Sequence, residues 1–271
     1  MSTFQSSDGV NLFYQDFGQG KPVVFVHSWG LDSQMWGPYM LHFQALGMRV
    51  IAMDRRGHGR SDQPGYGYDY DRLADDLAEL IEQLDLHDVT LIGHSMGTGE
   101  CTRLLARHRN ERIARAIYIA PVAPCLIDAD GNKITKAMVA PVLADISSDF
   151  PLWLEQGADG FFLPDETGTS AGTIRRTIDI MLAASLCAVV ACFLTRVEGD
   201  LRDDLRMIDI PLLVLHGDRD QSEPMAHGLA TVALVSGAQF VKYANAPHGI
   251  YQTHRAQLLA DMQAFMGDTT E

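Results

Sequence analysis

Positive charge is scarce in this chain of 271 residues: Lys and Arg number 21 against 35 Asp and Glu, a formal net charge of −14. That balance repels polyanions and argues against nucleic acid or an anionic membrane surface as a partner, which leaves neutral or apolar small molecules. Long hydrophobic runs are lacking too. The longest nearly apolar stretch, Met181 to Leu194, falls short of the about 20 residues that a bilayer crossing needs, and it reads as one buried helix. The start, Met1 to Gly9, has no basic region followed by an apolar stretch, so it does not read as a signal peptide. Cysteine is sparse: Cys101, Cys125, Cys187 and Cys192 form no CxxC pair, and none has a histidine at zinc-finger spacing. Reduced, buried thiols in a cytoplasmic protein with no metal site are expected.

What is present is alternation. Short apolar runs, Pro22 to His27, Arg49 to Met53 and Val89 to Gly93, are each expected to be a strand buried on both faces, with longer helical patterns between them. Asp8-Gly9 reads as an antiparallel hairpin turn, and Pro211 to His216 and Gln239 to Tyr243 add two late strands. From Asp71 to Leu84, Leu73, Leu77, Leu80, Ile81 and Leu84 fall on one helical stripe, which predicts that Asp75, Asp76, Glu79 and Glu82 turn mostly to solvent. The pattern indicates an α/β fold with a largely parallel sheet. It breaks from about Pro121 to Ile208, which reads as an inserted helical cap over residues 121–209, with the core in 1–120 and 210–271.

The strongest chemical signal is Gly93-His94-Ser95-Met96-Gly97, placed after one predicted strand and before a helical stretch. That is the context of a nucleophile elbow, a strained strand-to-helix turn that lifts a serine hydroxyl above the sheet edge. A serine is a poor nucleophile at neutral pH and needs a base, and the base needs an orienting acid. Of ten histidines, His248 lies in the loop leaving the last strand, on the same rim as the elbow. His42, His87, His108, His227 and His254 fall in helical or surface-like segments. The preceding strand end offers Asp218 and Asp220; Asp220 stands one step further out and is assigned to His248, while Asp218 caps the turn. Met96 N–H, directly after the serine, is one expected oxyanion donor, and the loop His27-Ser28-Trp29-Gly30 supplies the other.

With these stretches, with Asp54-Arg55-Arg56-Gly57-His58-Gly59-Arg60-Ser61-Asp62-Gln63-Pro64, and with Ala246-Pro247-His248-Gly249, the chain resembles the bacterial aryl esterase and cofactor-free haloperoxidase (perhydrolase) group of α/β-hydrolases. The likeness is dense up to Pro121 and after Asp209 and thin in the cap. It implies a mostly parallel eight-stranded sheet flanked by helices, a triad of Ser95, Asp220 and His248, and oxyanion donors at Trp29 and Met96. It implies no cofactor. Ser28 stands where the group usually has glycine, so the loop differs there or gains a hydroxyl donor. Thr98 stands where glycine is common and is expected only to pack against the sheet.

The expected function is serine hydrolysis of a small, apolar carboxylic ester. Peroxide in place of water, a lactone, or a carbon–carbon bond beside a carbonyl are alternatives on the same triad, and a non-catalytic receptor is the rival of another class. Ser28, Trp29, Trp153, Phe161, Phe162 and Phe193 are the candidate substrate contacts. Homo-oligomerisation is left open.

Overall fold

A computed structural model describes residues 2–108 and 111–267. Asp8 and Gly9 turn the chain between β1 (Ser2–Gln5) and β2 (Asn11–Phe17), an antiparallel pair. The strands β3 (Pro22–Val26), β4 (Arg49–Met53), β5 (Val89–His94), β6 (Ile113–Ile119), β7 (Leu212–Gly217) and β8 (Gln239–Tyr243) pair in parallel. Together they make one 8-stranded sheet in the order β1-β2-β4-β3-β5-β6-β7-β8. Side chains alternate across it: Val23, Phe25, Val50 and Ala52 enter one core, and Val24, Val26, Ile51 and Met53 the other.

Helices α1 (Gly37–Ala45), α2 (Tyr70–Gln83) and α3 (Met96–His108) connect the first half of the sheet. Between β6 and β7 lie α4 (Ala140–Ser148), α5 (Phe150–Phe162), α6 (Pro164–Thr167), α7 (Ala171–Leu182), α8 (Leu186–Glu198) and α9 (Arg202–Arg206). The chain ends with α10 (Met225–Leu234), α11 (Ile250–Thr253) and α12 (Arg255–Met266). Met40 and Phe43 of α1 and Leu258 and Met262 of α12 bury against one face of the sheet, in a core that buried residues of α5 and α8 join; α2 and α3 bury against the other. Leu205 of α9 and Ile208 join the α2–α3 side, so the chain has left the α5–α8 side before residue 209.

The structure corrects several expectations. β6 is a central strand that the apolar pattern does not announce, because Arg115 interrupts Ile113 to Ile119; its guanidinium reaches Thr90 Oγ1 on β5 at 3.3 Å. The run Met181 to Leu194 is not one helix. It breaks at Ala183 to Ser185 into α7 and α8, which meet at 96°, and the Ser185 N–H leaves the helical ladder to donate to Gly57 O. Among the described residues no single helix is long and apolar enough to cross a membrane.

The α2 carboxylates are not all a solvated face either. Glu82 is exposed, but Asp76 is 1% exposed and takes two bonds of 2.7 Å from Arg56 Nε and Nη2, while Nη1 and Nη2 reach Asp8. A planar guanidinium meets a carboxylate in this two-pronged way, and it makes burial of both charges tolerable. Arg56→Met should leave the buried Asp76 with one oxygen stripped of its guanidinium partner and only Arg72, at 2.9 Å from the other, to balance its charge. The expected loss is about 3–5 kcal/mol of folding stability, measured by urea denaturation; a loss below about 1 kcal/mol would contradict the role of the pair.

Candidate active site

Ser95 connects β5 to α3 at φ 52°, in the left-handed region that residues with a Cβ avoid. Its N–H donates to Ile119 O on β6 at 3.0 Å, and its carbonyl accepts from the Thr98 N–H at 2.9 Å and the Thr98 hydroxyl at 2.7 Å. Thr98 therefore does more than pack: its Oγ1 also accepts from Val122 N–H. The turn leaves no room beside it. A Cβ on Gly97 would stand 2.6 Å from Val26 O, so only glycine lets α3 approach β3 so closely.

The loop after β3 is pinned from below. His27 Nε2 accepts the Arg55 N–H at 2.9 Å, which places the ring proton on Nδ1, and Nδ1 donates to Ser28 O at 2.8 Å. Burial first, then the Arg55 charge, drive the His27 pKa well below the usual range, so the ring stays neutral. The Arg55 guanidinium donates to His27 O and Ser28 O and is held by Glu100 of α3 at 2.8 Å. Since the Ser28–Trp29 peptide is trans, fixing Ser28 O toward Arg55 turns the Trp29 N–H the opposite way. Neither that N–H nor the Met96 N–H, at the first position of α3, has an acceptor among the described residues. Ser28 does not take a positive φ, so the freedom of glycine is not needed at this position.

His248 lies between β8 and α11 and is 3% exposed. Its Nδ1 is 2.7 Å from Asp220 Oδ2, and its carbonyl accepts from His94 Nε2 at 3.1 Å. Asp220, after β7, has its other oxygen filled by the Ser222 and Glu223 N–H groups at 2.9 and 2.8 Å. His216 Nε2 stands 3.4 Å from Oδ2 as well. Burial pushes the Asp220 carboxyl up, but His248, His216 and the backbone donors outweigh it and hold the group well below the ordinary 3.8. Asp218, by contrast, is exposed and accepts the Asn245 N–H at 2.7 Å, tying the β7 and β8 loops together.

Ser95 and His248 open on one cavity of about 260 Å³. Ser28, Trp29, Trp153, Phe161, Phe162 and Phe193 all line it, whereas Met96 and Asp220 lie behind its wall. Trp29 packs edge-on against Trp153 and Phe193 with centroids 5.7 and 6.0 Å away, and its indole N–H donates to Val189 O on α8. Phe161 stands over the His248 ring at 5.3 Å. The sequence reading missed Arg196, Ser222 and Glu223, which also line the cavity. The lone arginine just beyond the apolar run was the available signal for Arg196; nothing local marked Glu223. His227, expected at the surface, instead binds the Glu223 carboxylate at 2.7 Å.

A mostly parallel sheet carrying a strained serine after β5, an aspartate after β7 and a histidine after β8 defines the class: an α/β protein with its site on the carboxyl rim of the sheet. Residues 21–186 match the family described as alpha/beta hydrolase fold, and the chain belongs to that family. It is 37% identical to a non-heme chloroperoxidase from Streptomyces lividans, over 98% of this chain and 99% of the relative. Among solved structures it is similar to a bromoperoxidase from Bacillus anthracis, with a TM-score of 0.91, 31% identity, and coverage of 98% of this chain and 99% of that one. An esterase from Exiguobacterium antarcticum superposes with a TM-score of 0.91 at 28% identity, covering 97% of this chain and 98% of that one.

A carboxyl whose folded pKa lies below its unfolded value stabilises the fold above the unfolded pKa, and that contribution fades as pH falls toward the folded one. The stability lost in Asp220→Asn should therefore be largest near pH 6 and smaller by about 1 kcal/mol at pH 3. Urea titrations of both proteins at the two pH values measure it, and a difference independent of pH would show that Asp220 is not held ionised.

Proposed function

We propose that the protein is a serine hydrolase that cleaves small carboxylic esters through an acyl-enzyme. The observation that carries this reading is the contact of His248 Nδ1 with Asp220 at 2.7 Å, in a cavity that His248 shares with Ser95. Because Nδ1 is bound to a carboxylate, it keeps its proton, and Nε2 remains the basic nitrogen. In this reading His248 takes the proton from Ser95 as Oγ attacks the ester carbonyl. The N–H groups of Trp29 and Met96 receive the oxyanion, since neither has another acceptor among the described residues. His248 returns the proton to the leaving alcohol, and water, activated the same way, releases the acid. Asp220 stays ionised throughout and stabilises the imidazolium.

The cavity is small for a binding pocket, which suits short acyl groups, and its aromatic lining suits apolar ones. We assign the covering role to the inserted segment 121–209, chiefly to α5, α7 and α8, which supply Trp153, Phe161, Met181 and Phe193 to the lining. A reducing, cytoplasmic setting suits the four free thiols, Cys101, Cys125, Cys187 and Cys192.

A second reading changes only the acyl acceptor. The likeness to a non-heme chloroperoxidase favours it: hydrogen peroxide would attack the acyl-enzyme in place of water, giving a peracid and free Ser95. Both readings need the same serine. Ser95→Ala should lower kcat/KM on p-nitrophenyl esters from acetate to octanoate by at least about 10³-fold while leaving the thermal melt in place. Retained activity in that variant would refute the assignment. Peracid formed from acetate and peroxide, assayed in parallel, separates the two acceptors.

A further inference from the structure

The cavity has one charged pole that acyl transfer does not use. Arg196 near the end of α8 and Glu223 in the loop after β7 both line it and are ion-paired through Nη1 and Oε1. Glu223 is 1% exposed, and its second oxygen accepts from His227 Nδ1 at 2.7 Å. Burial pushes this carboxyl up, but Arg196 and His227 outweigh it and hold it ionised. Both of its oxygens are thus committed to protein partners.

Arg196 is not. A guanidinium carries five N–H donors, and Nε and Nη2 of Arg196 have no acceptor among the described residues. The group lies 5.0 Å from the Phe193 centroid, and Phe193 packs edge-on against Trp29, so Arg196 is held on the wall that Trp29 and Phe193 form. A clasp between α8 and the β7 loop would need only the Nη1 contact. The spare donors matter once a substrate displaces water from the cavity. They are then either bonded by the substrate or left dry, and a site built to donate rejects the analogue that lacks the acceptor.

The acceptor is best uncharged. A carboxylate at this pole would sit near Glu223 and Asp220, both ionised, whereas a neutral oxygen takes the N–H without adding a third negative charge. We infer that Arg196 is a specificity-determining residue and that the substrate is an ester or lactone with a second, uncharged acceptor oxygen, such as a ketone, on the part that lies along Trp29 and Phe193. This rests on the acyl-transfer reading.

The test compares p-nitrophenyl 4-oxopentanoate with p-nitrophenyl pentanoate, esters of one chain length that differ in that oxygen. Wild type should favour the oxo ester in kcat/KM by at least about tenfold. In Arg196→Met the ratio should fall to near one, and likewise in Arg196→Met/Glu223→Gln, which removes both charges and preserves the measurement if the single variant misfolds. Mono-p-nitrophenyl glutarate supplies the anionic arm. Turnover of pentanoate with no oxo preference in wild type overturns this inference alone, as does an equal fall of both esters in the variants, the mark of a mere clasp. Glutarate preferred to the oxo ester overturns the uncharged acceptor. No turnover of any ester by wild type overturns the acyl-transfer reading and this inference with it.

Discussion

Ser95 stands in the left-handed region of backbone space, at φ 52°, where a side chain with a Cβ costs about 1–2 kcal/mol. The conformation persists because it is over-determined. β6 takes its N–H, Thr98 takes its carbonyl twice, and Gly97 lets α3 press against the β3 carbonyls with no side chain between. Relaxing the turn would break these bonds and tilt α3, which begins directly after Ser95. The position of the serine, the direction of the helix N-terminus and the closeness of β3 to α3 are one constraint.

A second buried system serves the same rim from below. Arg55, Glu100 and His27 satisfy one another and fix the carbonyls of residues 27 and 28, so the next N–H is left to point away. Fully partnered networks of this kind rigidify; a partly satisfied one would cost more than an apolar core. The His248 loop is anchored differently, through its own carbonyl to His94 and through Gly249 N–H to Phe161 O on α5. That last bond means the inserted helices hold the histidine loop as well as line the cavity.

The charged pole at Arg196 and Glu223 belongs to the same economy of buried groups. The Glu223 backbone N–H serves Asp220 while its carboxylate serves α8, so one residue joins the His–Asp pair to α8. Displacement of α8 would therefore be felt at Asp220, through a single stretch of loop.

Much of this was legible in one dimension. Runs such as Arg49 to Met53 and Gln239 to Tyr243 coincide with their strands, because a strand buried in a sheet needs continuous apolar or alternating residues. Ser95, His248 and Asp220 could be placed at strand ends because the signals are local: a glycine-flanked turn after a strand, and loops leaving strands. β6, the corner between α7 and α8, the burial of Asp76 and the pairing of Arg196 with Glu223 could not be read this way. Each depends on a partner distant in the chain: Arg115 on Thr90, Ser185 on Gly57, Asp76 on Arg56, Arg196 on Glu223. The sequence alone determined the alternation of strands and helices outside β6 and the α7–α8 corner, and the residue types at the rim, since those follow from periodicity and turn chemistry. Which charges are buried, and against whom, only the tertiary structure decided, because the free energy of a buried charge is set by the neighbour that meets it.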